Sequence, residues 1–341
     1  MKRRSQFDAL RIAACCMVVM IHVSFSKWDA APVRSLHFIV CNLFDSMVSP
    51  AAVPLFVMLS GALFLGREEL PPVRVLLKKY VLRLVVLYLL AALLYALDEV
   101  GVGALAAPEG WKRLAAATVR GKYHLWYLPR LAGTYALLPL LWCAVRYENG
   151  KYVRYLLAAC FFFVTVKTTL RMLPIPQAAA DFIEQFEFPL NSFAPYALLG
   201  WYLSDRPKHS RTLLLLVWAL AVAAAAAANY FDSLRSGTPQ FALLGSGTIF
   251  AYVQAAALFE LFRTLPDAPE GRARRLAAVS RDTLGIYILH VFVLEHLERW
   301  FGFSVLSLPI YCAIPLLTAS VLLICLPLSA ALRRIPGNKL L

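Results

Sequence analysis

Two residues in the first apolar stretch, 7–25, have the chemistry of a site: Arg11 is a permanent cation and His22 a base that works near neutral pH. Ionisable groups in a segment long enough to cross a bilayer are costly, so they face a protein interior or a wet cavity and act there. Eleven residues separate them, close to three helical turns. Both side chains therefore leave one stripe of a helix, roughly 16 Å apart along its axis. An arginine there can fix an anionic group such as a phosphate, and the histidine can take a proton from a hydroxyl. The alternative is a snorkelling arginine and a satisfied core histidine. Asp8, three residues before Arg11, is on the same face and could orient the guanidinium.

The chain around them is that of a membrane protein. Of its 341 residues, 60% are hydrophobic and 16% charged, which few soluble domains match. Apolar runs near the length of a spanning helix recur at residues 7–25, 46–66, 73–97, 124–146, 153–171, 188–204, 211–230, 240–265, 281–299 and 303–332. They predict an all-α, polytopic bundle of about ten spans forming a single domain over 1–341, with no soluble module attached. A partly buried stretch, 36–44, is expected before the second span, and Pro189 and Pro195 make the sixth irregular. With both termini cytoplasmic, the inner segments hold 22 of the 34 Lys and Arg and the outer ones 11. That bias follows the positive-inside rule. The net charge of +14 then reflects topology and anionic lipid headgroups, with no nucleic-acid partner needed. The exception is the outer loop 98–123, where Lys112, Arg113, Arg120 and Lys122 could hold an anionic substrate or simply be solvated.

The first span opens like a signal peptide, but Asp8, Arg11 and His22 interrupt its apolar region, so an uncleaved helix is expected. The seven cysteines lie in or beside apolar spans without ligand spacing and read as small core- or lipid-facing residues; no metal is implied. Phosphate loops, a nucleophile elbow, zinc-protease motifs and transporter-type repeats are missing from the sequence.

Further polar residues recur at comparable depths. Tyr123-His124-Leu125-Trp126-Tyr127-Leu128 opens the fourth span, Pro54-Leu55-Phe56 and Ser60-Gly61 lie in the second, and Gly285-Ile286-Tyr287-Ile288-Leu289-His290 in the ninth. Together with Asp8-x-x-Arg11-x10-His22, these motifs resemble, in order and spacing, the integral-membrane acyltransferases called acyltransferase family 3, over nearly the whole chain. One departure is visible: Lys78-Lys79-Tyr80 and Arg83 run on without the proline that often follows in that family.

The resemblance implies an enzyme of the bacterial inner membrane that moves an acyl group, usually acetyl, from cytoplasmic acyl-CoA to a hydroxyl of a surface polysaccharide or lipid-linked sugar. His22 and Arg11 would be catalytic, with His22 as general base or, less directly, as a transient acyl carrier. Arg11, Lys79 and Arg83 would hold the CoA phosphates. His124 and Trp126 would position the carbohydrate acceptor. Ser60 or Tyr287 could donate to the oxyanion, and His290 and Asp8 would support the site. Membrane lipids are the other expected partners, and polysaccharide-assembly proteins fit the same role. A transporter or flippase for a lipid-linked sugar is the competing reading, and acyl-CoA consumption discriminates between them. A non-catalytic scaffold is the third, which predicts that His22→Ala changes nothing.

Overall fold

A computed structural model describes residues 4–28, 31–186, 188, 190, 193–335 and 340. Among the described residues the chain forms twelve α-helices and no strand. They are α1 Ser5–Ser24, α2 Leu36–Leu65, α3 Val73–Val100, α4 Pro108–Arg120, α5 Tyr127–Arg146, α6 Val153–Met172, α7 Gln177–Glu184, α8 Ala194–Ser204, α9 Arg211–Ser236, α10 Ile249–Arg263, α11 Glu270–Phe301 and α12 Ile310–Arg334. Nine helical segments among the described residues are long and apolar enough to cross a membrane: α1, α2, α3, α5 with its lead-in from Tyr123, α6, α9, α10 with its lead-in from Ala242, α11 and α12. The protein is a multi-pass membrane protein.

Where a sixth full span was expected, the chain forms only α8, 11 residues long, starting at Ala194. Pro195 takes the first turn of that helix, where its missing N–H costs nothing; Pro189 lies outside the described residues. Residues 36–44 are not a separate stretch before the second span. They are the first turns of α2, which runs 30 residues and is capped by Ser35, whose hydroxyl accepts from Phe38 N–H at 3.1 Å. Pro50 and Pro54 sit inside α2 without ending it, because packed neighbours replace the contacts the lost N–H groups would have made.

Helix α2 is the axis of the bundle, with α1, α8, α9, α10 and α5 against it. It meets α8 through glycines: a Cβ on Gly61 would collide with the Ala197 carbonyl, and one on Gly200 with the Met58 carbonyl. The Ser60-Gly61 pair thus serves close helix packing, the small-residue mode of membrane bundles. Helix α1 lies between α2 and α11, so its Arg11–His22 stripe faces protein rather than lipid.

Both termini approach one end of the bundle. Ser5 Oγ donates to Asp267 Oδ1 at 3.4 Å, Arg83 Nε donates to the Leu340 carbonyl at 3.0 Å, and Arg333 pairs with Asp282 at 2.9 Å. Helix α3 opens with a π-helical turn, Leu77–Val81, just before Arg83. The local irregularity that a proline would have introduced is present without one. At the opposite end the loop 98–123 folds into the amphipathic α4, which seats Leu114 and Ala117 on Ala96 of α3. Three of its four cations are paired, Lys112 with Glu109, Arg120 with Glu99 and Lys122 with Glu295 of α11, while Arg113 is exposed.

Candidate active site

Helices α1, α2, α3, α5 and α11 enclose two cavities stacked along the bundle. The one nearer the termini has a volume of 310 Å³ and is lined by Arg11, Arg83 and Arg281 together with Ser60, Tyr80 and Tyr135. The other, 430 Å³, is lined by His22, His124, Trp126, Tyr123 and Arg130. Four residues, Val18, Val53, Tyr127 and Tyr287, line both and form the wall between them. Arg11 and His22, on one stripe of α1, therefore open into different chambers.

Three imidazoles meet at the wall. The His22 ring centroid is 4.9 Å from that of His290 and 5.9 Å from that of His124, and His124 and His290 are 5.1 Å apart. His124 and His290 are buried, whereas His22 is only partly so and faces the cavity. The short helical turn Tyr123–Trp126, just before α5, swings His124 inward. Tyr287 fixes that turn by donating from its hydroxyl to the His124 carbonyl at 2.5 Å. His290 Nδ1 lies 2.6 Å from the Tyr287 carbonyl and 3.3 Å from that of Ile286. Carbonyls only accept, so Nδ1 carries the hydrogen and Nε2 keeps a lone pair. That Nε2 is buried and has no hydrogen-bond partner among the described residues. Among the described residues no group of three His, Cys, Asp or Glu is placed to hold a metal ion.

The arginine chamber is organised by α11 and α3. Arg11 Nη1 donates to Ser280 Oγ at 3.3 Å, which holds the guanidinium against the first buried turn of α11. Arg83 reaches the chamber wall from α3, one turn after the π-helical segment. Lys79 does not line either cavity; it is exposed, its ammonium 5.8 Å from the Tyr80 ring centroid. Asp8 is buried below Arg11. Ser60 Oγ is 3.0 Å from the Phe56 carbonyl, to which it donates, and 3.2 Å from Tyr135 Oη. The hydrogens of Ser60 and Tyr287 are thus both engaged within the protein, and Tyr135 in turn donates its hydroxyl hydrogen to Ser60 Oγ.

The family model described as an acyltransferase domain matches residues 4–331, nearly the entire chain. The chain belongs to acyltransferase family 3. Comparison with curated proteins and with solved structures gives no match. In this acyltransferase, the signature residues Arg11 and His22 mark the two chambers, and the other motifs converge on them from α2, α5 and α11. Several residues of the site carried no such signal in the sequence. Tyr80 stands beside Lys78-Lys79, Tyr127 ends the aromatic run that begins at Tyr123, and Arg281 and Arg130 read as ordinary end-of-span cations. Only the packing assigns all four to cavity walls.

Proposed function

We propose that this acyltransferase moves an acyl group, acetyl in the simplest case, from acyl-CoA in the arginine chamber to a carbohydrate hydroxyl in the histidine chamber. The observation that carries the reading is the pair of chambers separated by one layer of side chains, with fixed cations on one side and a half-buried imidazole on the other. Arg11, Arg83 and Arg281 supply forked donors for the donor's phosphates. The terminal end, rich in Lys and Arg, is the cytoplasmic one by the positive-inside rule, which is where acyl-CoA is made available.

The acceptor hydroxyl is a poor nucleophile until it loses its proton. With the thioester end of the donor reaching the boundary between the chambers, His22 takes that proton as the oxygen attacks the carbonyl; the tetrahedral intermediate collapses with release of the CoA thiolate, and the His22 imidazolium returns the proton to that sulfur. His290 acts on His22 as a positioning residue. With its Nδ1–H given to the Tyr287 carbonyl, its unpartnered Nε2 keeps a lone pair beside the His22 ring and favours the orientation of His22 that turns an N–H toward it during turnover, leaving the other nitrogen of His22 as the base. His124 and Trp126 line the acceptor chamber and orient the sugar.

The test is turnover of labelled acetyl-CoA by the purified, detergent-solubilised protein with a membrane extract as acceptor. His22→Ala is expected to keep acetyl-CoA binding and lose turnover by about 10²–10⁴-fold, the range for a general base. A wild-type protein that neither binds nor consumes acyl-CoA would overturn the reading in favour of transport of a lipid-linked sugar.

A further inference from the structure

Arg130 is the one charged side chain in the wall of the histidine chamber among the described residues, and no carboxylate lines that wall. Its guanidinium carbon lies over the Trp126 ring, 4.7 Å from the centroid, a cation–π contact with another residue of the same wall. Three other cations at this end of the bundle have acidic partners: Lys27 pairs with Glu298 at 2.6 Å, Lys122 with Glu295 at 2.7 Å, and Arg299 with Asp98 at 3.2 Å, whereas Arg34 and Arg113, which line neither cavity, have no ion pair among the described residues. Arg130 has no ion pair among the described residues. Arg130 is exposed, so its guanidinium stands at the mouth of the chamber, open to a ligand that enters it. The rest of the chamber suits a sugar, with the rings of Phe25, Tyr123 and Phe241 for its apolar faces and the hydroxyls of Ser49 and Ser246 for its polar edges.

We propose that the acceptor is a carbohydrate bearing an anionic group, a carboxylate or a phosphate, which Arg130 grips through its fork while Trp126 backs it and the target hydroxyl faces His22. The inference rests on the acyltransfer reading above and adds the class of acceptor to it. The anion has two sources: an acid on the sugar itself, or the phosphate of a lipid carrier.

Membranes from the native cell, given labelled acetyl-CoA, test this directly. The labelled glycan is run on an anion exchanger before and after mild-acid release from any lipid phosphate. Retention that survives release places the acid on the sugar, and retention that disappears assigns it to the carrier phosphate. Label that is unretained both times overturns the inference while leaving acyltransfer intact; no label in any glycan overturns both. In the same membranes Arg130→Gln is expected to lower transfer on the order of tenfold or more, and Arg130→Lys, which keeps the charge but loses the fork, by less. The KM for acetyl-CoA stays at the wild-type value in both variants. Transfer by Arg130→Gln at the wild-type rate, or a fall in Arg130→Lys as deep as in Arg130→Gln, would also refute it.

Discussion

Replacing His290 by Phe keeps an aromatic ring of similar volume at the wall and removes both nitrogens. The lost Nδ1–H faced two carbonyls of its own helix, Tyr287 and Ile286, and those belong to the ladder of α11, so the fold should barely notice. The lost Nε2 is the acceptor whose ring centre stands 4.9 Å from that of His22. One neutral hydrogen bond of orientation is worth about 1 kcal/mol, so kcat should fall about five- to tenfold. Loss of the base itself in His22→Ala costs about 10²–10⁴-fold. The KM for acetyl-CoA should not move, since the arginine chamber is on the far side of the wall. His290→Gln puts an amide oxygen near the position of Nε2 and should recover part of the rate. Rapid-mix single-turnover consumption of acetyl-CoA at saturating acceptor measures the step. In the His22→Ala background His290→Phe should do nothing further, because it acts only by aligning that base. A full-size loss in that background, or a His290→Phe rate equal to wild type, would refute the positioning role.

Two further outcomes follow from the same geometry. Arg83→Ala should raise the KM for acetyl-CoA about tenfold, as one charge-assisted contact is removed, whereas Lys79→Ala should leave it within about twofold because an exposed lysine outside the cavity contributes little; titration of initial rates against acetyl-CoA reads both. Gly61→Ala forces a methyl into the Ala197 backbone and should destabilise the bundle by about 1–3 kcal/mol, seen as a lower midpoint in detergent thermal unfolding, while Gly133→Ala, where a Cβ meets open space, should not.

The helices were legible in the sequence because a bilayer imposes one length and one composition on every crossing. What hydropathy could not register was where a helix continues after its lipid-facing part ends. Helix α11 begins at Glu270, well before the apolar run at 281–299, since its first turns carry Arg272, Arg274 and Arg275. Helix α2 begins at Leu36 because Asn42, Asp45 and Ser46, which interrupt its hydropathy, are all buried against neighbours, with Asp45 bonded to Ser24. Arg11 and His22 stood out by being charged or polar where neither is cheap. Arg83 was legible as a cation but Lys79 beside it was not separable from it, because the π-helical turn that ends at Val81 decides which side chain turns inward. Arg130 and Arg281 occupy positions where the positive-inside rule and interfacial anchoring already explain a basic residue, so nothing in their spacing marked them.

The wall of Val18, Val53, Tyr127 and Tyr287 has an electrical consequence. Two wet chambers reaching toward each other concentrate the membrane voltage across the thin dry layer between them. Any charge carried through that layer would be driven or opposed by about 2.3 kcal/mol per 100 mV. Under the proposed route an acyl group would cross that layer in one direction and the acceptor's proton would return to the thiolate in the other, with the ionic groups of donor and acceptor held in their own chambers. That exchange would move no net charge, so a membrane potential would neither drive nor oppose it, and the layer would need to pass an acyl group and a proton but no other ion.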